Sequence, residues 1–453
     1  MSSQNNNLIE IADLKVHYPL RGTFVERLMG REAGSVKAVD GVSFELKRGE
    51  VLGLVGESGS GKTTLGRTLL RLVEPTSGSI RFNGDDITGL HDDELRKLRR
   101  KMQIVFQDPH ASLNPAMDLE TAVGHPLKIH GIARNKEQIR RRVADMLERV
   151  GLAPADRFLS KYPSDLSGGQ KQRAVLARAI MLNPDLLVAD EPVSMLDMSV
   201  RAKILELMVG LKEEFDLTYL YITHDLATAR FFCDRIAIMY LGRIVELGPA
   251  GEIYAHPRHP YTESLLRAIP EPDPAKAIPR DLPKGEVPDA VMPPHGCHFH
   301  PRCPKAFEVC GWEARDIGDL LEERWAAMAV ENEEQFARED RIVRDLDALD
   351  EVSETAKVPA GEQANGAEVV ELLERIRSEE PDARIWKGVR ALRAGDGEAV
   401  VEFHEGIEPR HLATNGVEVE CHLYDEEALR RAAEVASSRL IWPSLQRGSE
   451  RGP

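Results

Sequence analysis

The apolar positions of this chain follow two rhythms. Val51-Leu52-Gly53-Leu54-Val55, Leu186-Leu187-Val188-Ala189 and Tyr219-Leu220-Tyr221-Ile222 are short, nearly unbroken apolar runs, and Met102-Gln103-Ile104-Val105-Phe106 is close to one. Runs of this length predict strands buried on both faces of a parallel sheet. Between them the spacing becomes helical. Thr64 to Leu70 predicts the first turns of a helix, and Glu137 to Val150 puts Ile139, Val143, Met146, Leu147 and Val150 on one face. Beyond Cys310 the pattern is weaker. Ile317 to Val330, Val369 to Arg377 and Asp425 to Leu440 predict helices, and Ala399 to Phe403 a strand. Glu351 to Glu368 is polar and rich in small residues, and is expected to be disordered. Pro270 to Pro294 is proline-rich and predicts a semi-rigid linker.

Chemistry enters where the strands end. Gly56-Glu57-Ser58-Gly59-Ser60-Gly61-Lys62-Thr63 fits the phosphate-binding pattern G-x-x-x-x-G-K-[ST] and lies between a predicted strand and a predicted helix. Glycines let backbone N–H groups turn inward, and the helix N-terminus adds partial positive charge. Lys62 is expected to reach the β- and γ-phosphates, Thr63 to place its hydroxyl on Mg²⁺, and Thr64 to complete the ATP-contacting set. The run Leu186–Ala189 ends in Asp190 and Glu191. Carboxylates at the C-terminal edge of a parallel strand stand where such sheets bind ligands. Asp190 is expected to hold Mg²⁺ through water, and Glu191 to orient or deprotonate an attacking water.

A phosphate loop alone leaves kinases, GTPases and motors open. Leu166-Ser167-Gly168-Gly169-Gln170 narrows the field, because LSGGQ is the signature of ATP-binding-cassette ATPases. The chain resembles them from about Leu8 to about Leu266. The resemblance implies an α/β P-loop core with an antiparallel edge sheet and a helical arm between Asn114 and Ser164. It also implies a dimer, in which Ser167, Gly168, Gly169 and Gln170 of one subunit close over the ATP of another. Gln107 then contacts Mg²⁺ and senses the membrane partner, His224 stands near the γ-phosphate, and Tyr18 stacks on adenine. Ser194-Met195-Leu196-Asp197 matches the loop at the dimer interface, with Met195 where family members often carry alanine.

The stretches Gln107 to Pro115, Tyr240 to Gly248 and His259-Pro260-Tyr261-Thr262-Glu263-Ser264-Leu265-Leu266 resemble the oligopeptide, dipeptide and nickel importers of that class. Peptide import is the expected role, with nickel or another small solute as the alternative. The implied partners are a second ATPase subunit, two transmembrane permease subunits on which the arm docks, and indirectly an extracytoplasmic solute-binding protein.

Composition bears on partners and compartment. The chain lacks a run of eighteen apolar residues, and Met1 to Asn7 is polar, so it is expected at the cytoplasmic face of the membrane as a peripheral subunit. From Gly311 to Pro453 there are 18 basic and 34 acidic residues, which accounts for the whole net charge of −16. Such a surface repels nucleic acid, and no nucleic-acid partner is expected. A soluble cassette ATPase of DNA repair or translation, and a non-hydrolysing regulatory cassette, are the competing readings. One cassette without basic excess argues against the first, and Glu191 with His224 against the second.

Five cysteines remain. Cys297, Cys303 and Cys310 sit in a string resembling the C-terminal element of peptide importer ATPases, where four cysteines hold a 4Fe-4S cluster. The fourth there precedes His-Leu, and Cys421-His422-Leu423 supplies that end about 110 residues later. The insertion is expected to bring its ends together, since loop closure costs grow slowly with length. Zinc, with His298 or His300 replacing one cysteine, is the alternative, and free buried thiols a third. Cys233 belongs to the ATPase segment. The expected domains are 1–258, the ATPase; 259–310, the His-Pro-Tyr and cysteine element; 311–416, an acidic insertion; and 417–453, its return.

Overall fold

The computed structural model describes residues 6–20, 34–269, 285–343, 345–349 and 353–439. It divides into two compact units, Met1–Pro257 and Arg258–Pro453.

The first unit is built on two sheets. Strands β1 (Asn7–Pro19), β2 (Ser35–Lys47), β4 (Ser77–Phe82) and β5 (Asp85–Asp86) form an antiparallel sheet in the order β2-β1-β4-β5. The main sheet contains β3 (Val51–Val55), β6 (Met102–Val105), β7 (Leu186–Asp190), β8 (Thr218–Thr223), β9 (Arg235–Tyr240) and β10 (Arg243–Pro249), in the order β10-β9-β3-β8-β7-β6. β9, β3, β8, β7 and β6 are parallel, and β10 returns antiparallel. Every residue of β3, β7 and β8 is buried, which is why these strands read as apolar runs rather than as alternation. The expected helical arm is present as helices Leu119–Ile129, Lys136–Arg149 and Asp156–Leu159, leading to Gly168–Ile180. Ile139, Val143, Met146 and Leu147 form the buried face of the second.

The second unit carries β11 (Thr355–Pro359), β12 (Val389–Ala394) and β13 (Glu398–Phe403) as an antiparallel sheet in the order β11-β13-β12. β14 (His411–Thr414) and β15 (Val417–Glu420) form a hairpin. Helices Ala314–Glu331, Glu333–Asp340 and Gly366–Glu379 pack with them, and Glu426–Arg439 is the last helix described. The expected helices and strand are therefore found: Ile317–Val330 lies within Ala314–Glu331, Val369–Arg377 within Gly366–Glu379 and Ala399–Phe403 within Glu398–Phe403, while the last helix begins at Glu426, one residue later than expected. The disorder expected for Glu351–Glu368 is corrected. β11 lies inside it and pairs with β13, with Ala356 and Val358 buried, and Asn365 caps the next helix through its side chain. Part of the expected linker, residues 270–284, and Leu440 lie outside the described residues.

One ion-pair network holds this unit's helices. The buried Arg324 guanidinium makes two hydrogen bonds of 3.0 Å to the two carboxylate oxygens of Glu339 and a third of 2.6 Å to Glu380. Glu339 is fully buried and also accepts from Trp325 at 3.2 Å. Burial alone would raise the Glu339 carboxyl, but the donors around it outweigh that and hold it below its usual range. Removing one partner of a buried pair leaves an uncompensated charge. We expect Arg324→Ala to cost about 3–5 kcal/mol, even with the half-exposed Arg375 still near Glu339. Urea unfolding followed by tryptophan fluorescence measures it. All four tryptophans lie beyond Gly311, so the signal reports this unit. An unchanged midpoint would show that the network does not stabilise the unit.

Candidate functional site

The Gly56–Thr63 loop joins β3 to the helix Lys62–Leu69. Gly61 precedes that helix with φ of +100°, and a Cβ there would stand 1.9 Å from the Ala38 carbonyl oxygen. A Cβ on Gly56 would stand 2.1 Å from the Met239 carbonyl oxygen. Both positions therefore require glycine. Lys62 is folded into the loop, donating to the Gly56 and Glu57 carbonyls at 2.9 and 2.7 Å and to Ser60 Oγ at 3.2 Å. Burial lowers its pKa, opposed by Glu191 and Asp190.

The acidic strand end faces this loop. Thr63 Oγ1 donates to Asp190 Oδ1 at 3.0 Å across 127 residues. Asp190 is 3% exposed, and burial raises its carboxyl above the usual range despite Thr63, Arg67 and Lys62. Glu191 has a left-handed backbone, φ +46°, held by its N–H on the Ile222 carbonyl at 2.9 Å. That turn aims its carboxylate between two other elements. Gln107 Nε2, just past β6, donates to Oε2 at 2.9 Å, and His224 Nδ1, just past β8, lies 3.1 Å from Oε1. Lys62, Thr63, Gln107, Asp190, Glu191 and His224 thus come together at the C-terminal edge of the parallel sheet.

The signature residues are not part of this cluster. Ser167 caps the helix Gly168–Ile180 and forms a reciprocal capping box with Gln170. Gly168 and Gly169 open that helix, and a Cβ on Gly169 would stand 2.8 Å from Val200 Cγ1. Among the described residues no hydrogen bond or ion pair joins Ser167–Gln170 to the loop. Tyr18 lies near the end of β1, 41% exposed, and Met195 is 62% exposed. One link escaped the sequence reading. Lys171 Nζ lies 3.1 Å from His110 Nδ1, and Arg178 donates to the Ser112 carbonyl. Both tie the segment after Gln107 to the signature helix.

In the second unit, Cys297, Cys303, Cys310 and Cys421 line one small cavity together with His259, His300, Lys305, Phe307 and His422. The cavity itself is narrow, about 10 Å³, and the roughly 280 Å³ of space among these side chains includes a part open to solvent. Segments distant in the chain meet in the same unit. Ile407 N–H donates to the Val309 carbonyl and Cys297 N–H to that of Cys310, each at 3.0 Å or less. Burial pushes the Cys303 thiol up to about 11 and those of Cys297 and Cys310 well up also.

The three histidines differ. His300 is fully buried, with Nδ1 2.9 Å from the Cys297 carbonyl and Nε2 3.2 Å from Asp316 Oδ2. A carbonyl and a carboxylate facing the two nitrogens favour the doubly protonated ring. Burial would lower its pKa, and Asp316 and the Cys297 carbonyl raise it on balance. His259 Nδ1 accepts from the Tyr261 N–H at 3.1 Å and caps the helix Pro260–Arg267, and burial lowers its pKa to about 4. His422 is 2% exposed, burial lowers its pKa on balance against the opposing effect of the nearby Ile407 backbone, and neither ring nitrogen reaches a partner at hydrogen-bonding geometry.

The donor set can be tested against the expected groups. Zinc needs its ligands converged on one point, with sulfur about 2.3 Å from the ion. Among the described residues no trio of His, Cys, Asp or Glu is arranged to hold a metal ion. His300 has no free nitrogen for a metal, and His298 does not line the cavity. Neither His298 nor His300 is therefore placed to complete a zinc set with the cysteines. Four thiols lining one cavity are the donor set of a cluster rather than of a single ion, and Arg384, which donates to the Cys303 carbonyl, stands beside them. Cys233 stands apart, in the first unit, where its Sγ would lie 2.7 Å from a Cβ on Gly53.

Fold and loop together define an ATPase of the ATP-binding-cassette class, and residues 39–194 match the family described as "ABC transporter". Residues 245–310 match "Oligopeptide/dipeptide transporter, C-terminal region". The chain is 47% identical over 312 residues to the oligopeptide transport ATP-binding protein AppF of Bacillus subtilis, covering 68% of this chain and 93% of that one. It is 45% identical over 325 residues to a putative peptide import ATP-binding protein of Brucella ovis, covering 72% and 98%. Among solved structures, the dimeric ATP-binding cassette MJ0796 bound to ADP and Pi is 30% identical, covers 53% of this chain and 98% of that chain, and has a TM-score of 0.47. The chain belongs to the ATP-binding proteins of oligopeptide and peptide importers, and its activity is ATP hydrolysis coupled to peptide import. Membership implies ATP and Mg²⁺, a second ATPase unit and transmembrane permease partners. Among the described residues no helix is long and apolar enough to cross a membrane.

Proposed function

We propose that Glu191 orients and deprotonates the water that attacks ATP. The observation that carries this reading is the Glu191 carboxylate held between Gln107 and His224 at 2.9 and 3.1 Å. A carboxylate with both oxygens fixed from neighbouring strand ends is positioned before substrate arrives. Mg²⁺ supplies charge neutralisation at the phosphates when bound, and Thr63, Asp190 and Gln107 would hold it. The loop residues Gly56 to Thr64 cradle the phosphates, and Lys62 exchanges its carbonyl partners for phosphate oxygens. His224 lies beside the γ-phosphate, and Tyr18 stacks on adenine. Ser167, Gly168, Gly169 and Gln170 act in the other subunit's site, which agrees with their having no bond to the loop of their own chain. The protein works at the cytoplasmic face of the membrane, with a solute-binding protein on the far side delivering peptide.

Lys62→Ala tests the cradle. Charge-assisted hydrogen bonds contribute about 1.5–3 kcal/mol, so we expect ATP to bind on the order of 10- to 100-fold more weakly. Isothermal titration with ATP measures this, and unchanged affinity would refute the cradle.

The same reading extends to the second unit. We assign Cys297, Cys303, Cys310 and Cys421 to a 4Fe-4S cluster, supported by their common cavity and by the cations beside it. The segments 259–310 and 417–453 form one element, and 311–416 is an insertion into it. The meeting of Val309 with Ile407 supports this division.

A further inference from the structure

We propose that His422 donates a hydrogen bond to a sulfur atom of the iron–sulfur cluster and so raises its reduction potential. The proposal rests on the cluster assignment above and adds a role for a side chain that the four-cysteine set leaves out.

Three imidazoles line the cavity, and two are already committed. His300 gives both nitrogens to the Cys297 carbonyl and Asp316. His259 uses Nδ1 to cap the helix that follows it. His422 is nearly as buried, at 2% exposure, yet neither of its nitrogens meets a partner at hydrogen-bonding geometry, although the Ile407 backbone lies close by. Its ring is packed edge-on to Phe307 with centroids 6.3 Å apart, and Phe307 lines the same cavity. A polar group buried without a partner costs about 1–3 kcal/mol. Such groups in native proteins call for a partner that has not been placed. Here the cavity offers one candidate, whatever the four thiols hold.

The cysteines decide between ligand and donor. Four thiolates already complete a cuboidal cluster at one per iron, so a fifth protein ligand has no vacant position. The cluster's sulfurs, by contrast, accept hydrogen bonds, and such bonds are one of the levers that set its potential. An N–H aimed at a sulfur stabilises the extra electron of the reduced cluster and moves the potential upward. His422 is thus a positioning and tuning residue rather than part of the ligand set. Adjacent Cys421 fixes it in place, since both lie on the short turn that follows β15.

The test uses the full chain purified without oxygen, as parent, His422→Leu and His422→Gln. Iron content is measured first, and dithionite then adds one electron per cluster. The reduced parent should show, by electron–nuclear double resonance, an exchangeable proton and a weakly coupled nitrogen. His422→Leu should keep the parent's iron, lose both signals and shift to a more negative midpoint potential. His422→Gln keeps an N–H donor of similar reach and should shift less. Parent-like iron with an unchanged midpoint in the leucine variant would overturn the proposal. So would a strongly coupled nitrogen in the parent, which would make His422 a ligand. If the leucine variant does not fold, the parent's exchangeable proton and the glutamine midpoint decide. Absence of that proton overturns the proposal, and so does a glutamine midpoint unchanged from the parent after loss of the nitrogen signal. A parent without iron overturns the cluster assignment itself, and iron analysis separates that failure from failure of His422 alone.

Discussion

Glu191→Gln is expected to bind ATP as the parent does and to lose hydrolysis by about 10²–10⁴-fold, the range supplied by a positioned general base. The substitution keeps the shape of the side chain and one oxygen. It removes the negative charge that His224 and Gln107 now approach at 3.1 and 2.9 Å. Neither Lys62 nor Thr63 depends on it. Their partners are the loop carbonyls, Ser60 and Asp190. Binding and turnover should therefore separate, with the loss in kcat rather than in affinity. Because ATP then persists, two ATPase units should stay closed over it, and ATP-dependent dimer should accumulate on size exclusion. Steady-state phosphate release and equilibrium ATP binding, measured on the same preparation, check the prediction. Release at near the parent rate would show that another group activates the water. Loss of binding together with hydrolysis would show that the substitution had disturbed the cradle.

Much of this site was legible before the structure because its parts lie where short apolar strands end. β3, β7 and β8 are buried on both faces and contain little else, so Gly56, Asp190 and His224 follow recognisable runs. What the sequence does not carry is the left-handed turn at Glu191, which lets one carboxylate reach two neighbouring elements. The second unit was harder for a physical reason. β11 is five residues long, two of its side chains are exposed, and its partner β13 lies some forty residues on. A strand that exists only through a distant pairing leaves little local signal. The β14–β15 hairpin did leave one. Asn415-Gly416 both have positive φ, and Asn-Gly between short apolar segments is the strongest local hairpin signal. The convergence of His259, His300 and His422 on one cavity brings His422 to segments more than a hundred residues before it, and no spacing rule reports it.

The second large effect is expected at Cys421. Protein purified without oxygen should be brown and contain about four irons per chain. Cys421→Ser should lose most of that iron, as should Cys297→Ser, Cys303→Ser and Cys310→Ser. Serine keeps the size of the side chain but not the soft thiolate that iron–sulfur chemistry requires. Cys421 is the most informative of the four because it lies 111 residues beyond Cys310 in the chain. Its thiol reaches the cavity only if Val309 and Ile407 meet and the hairpin β14–β15 returns the chain beside Cys310. Cys233→Ser is the control, since that thiol packs against Gly53 in the other unit and should leave iron unchanged. The buried thiols also predict how loading depends on acidity. Burial pushes the Cys303 thiol up to about 11, so iron must displace a proton on binding, and loading should weaken as pH falls. Iron analysis after anaerobic reconstitution at two pH values measures this. Full iron in Cys421→Ser would keep a cluster but remove its fourth ligand from this cavity. Colourless parent protein with stoichiometric zinc would replace iron as the reading and require the thiols to close by several ångströms onto one ion.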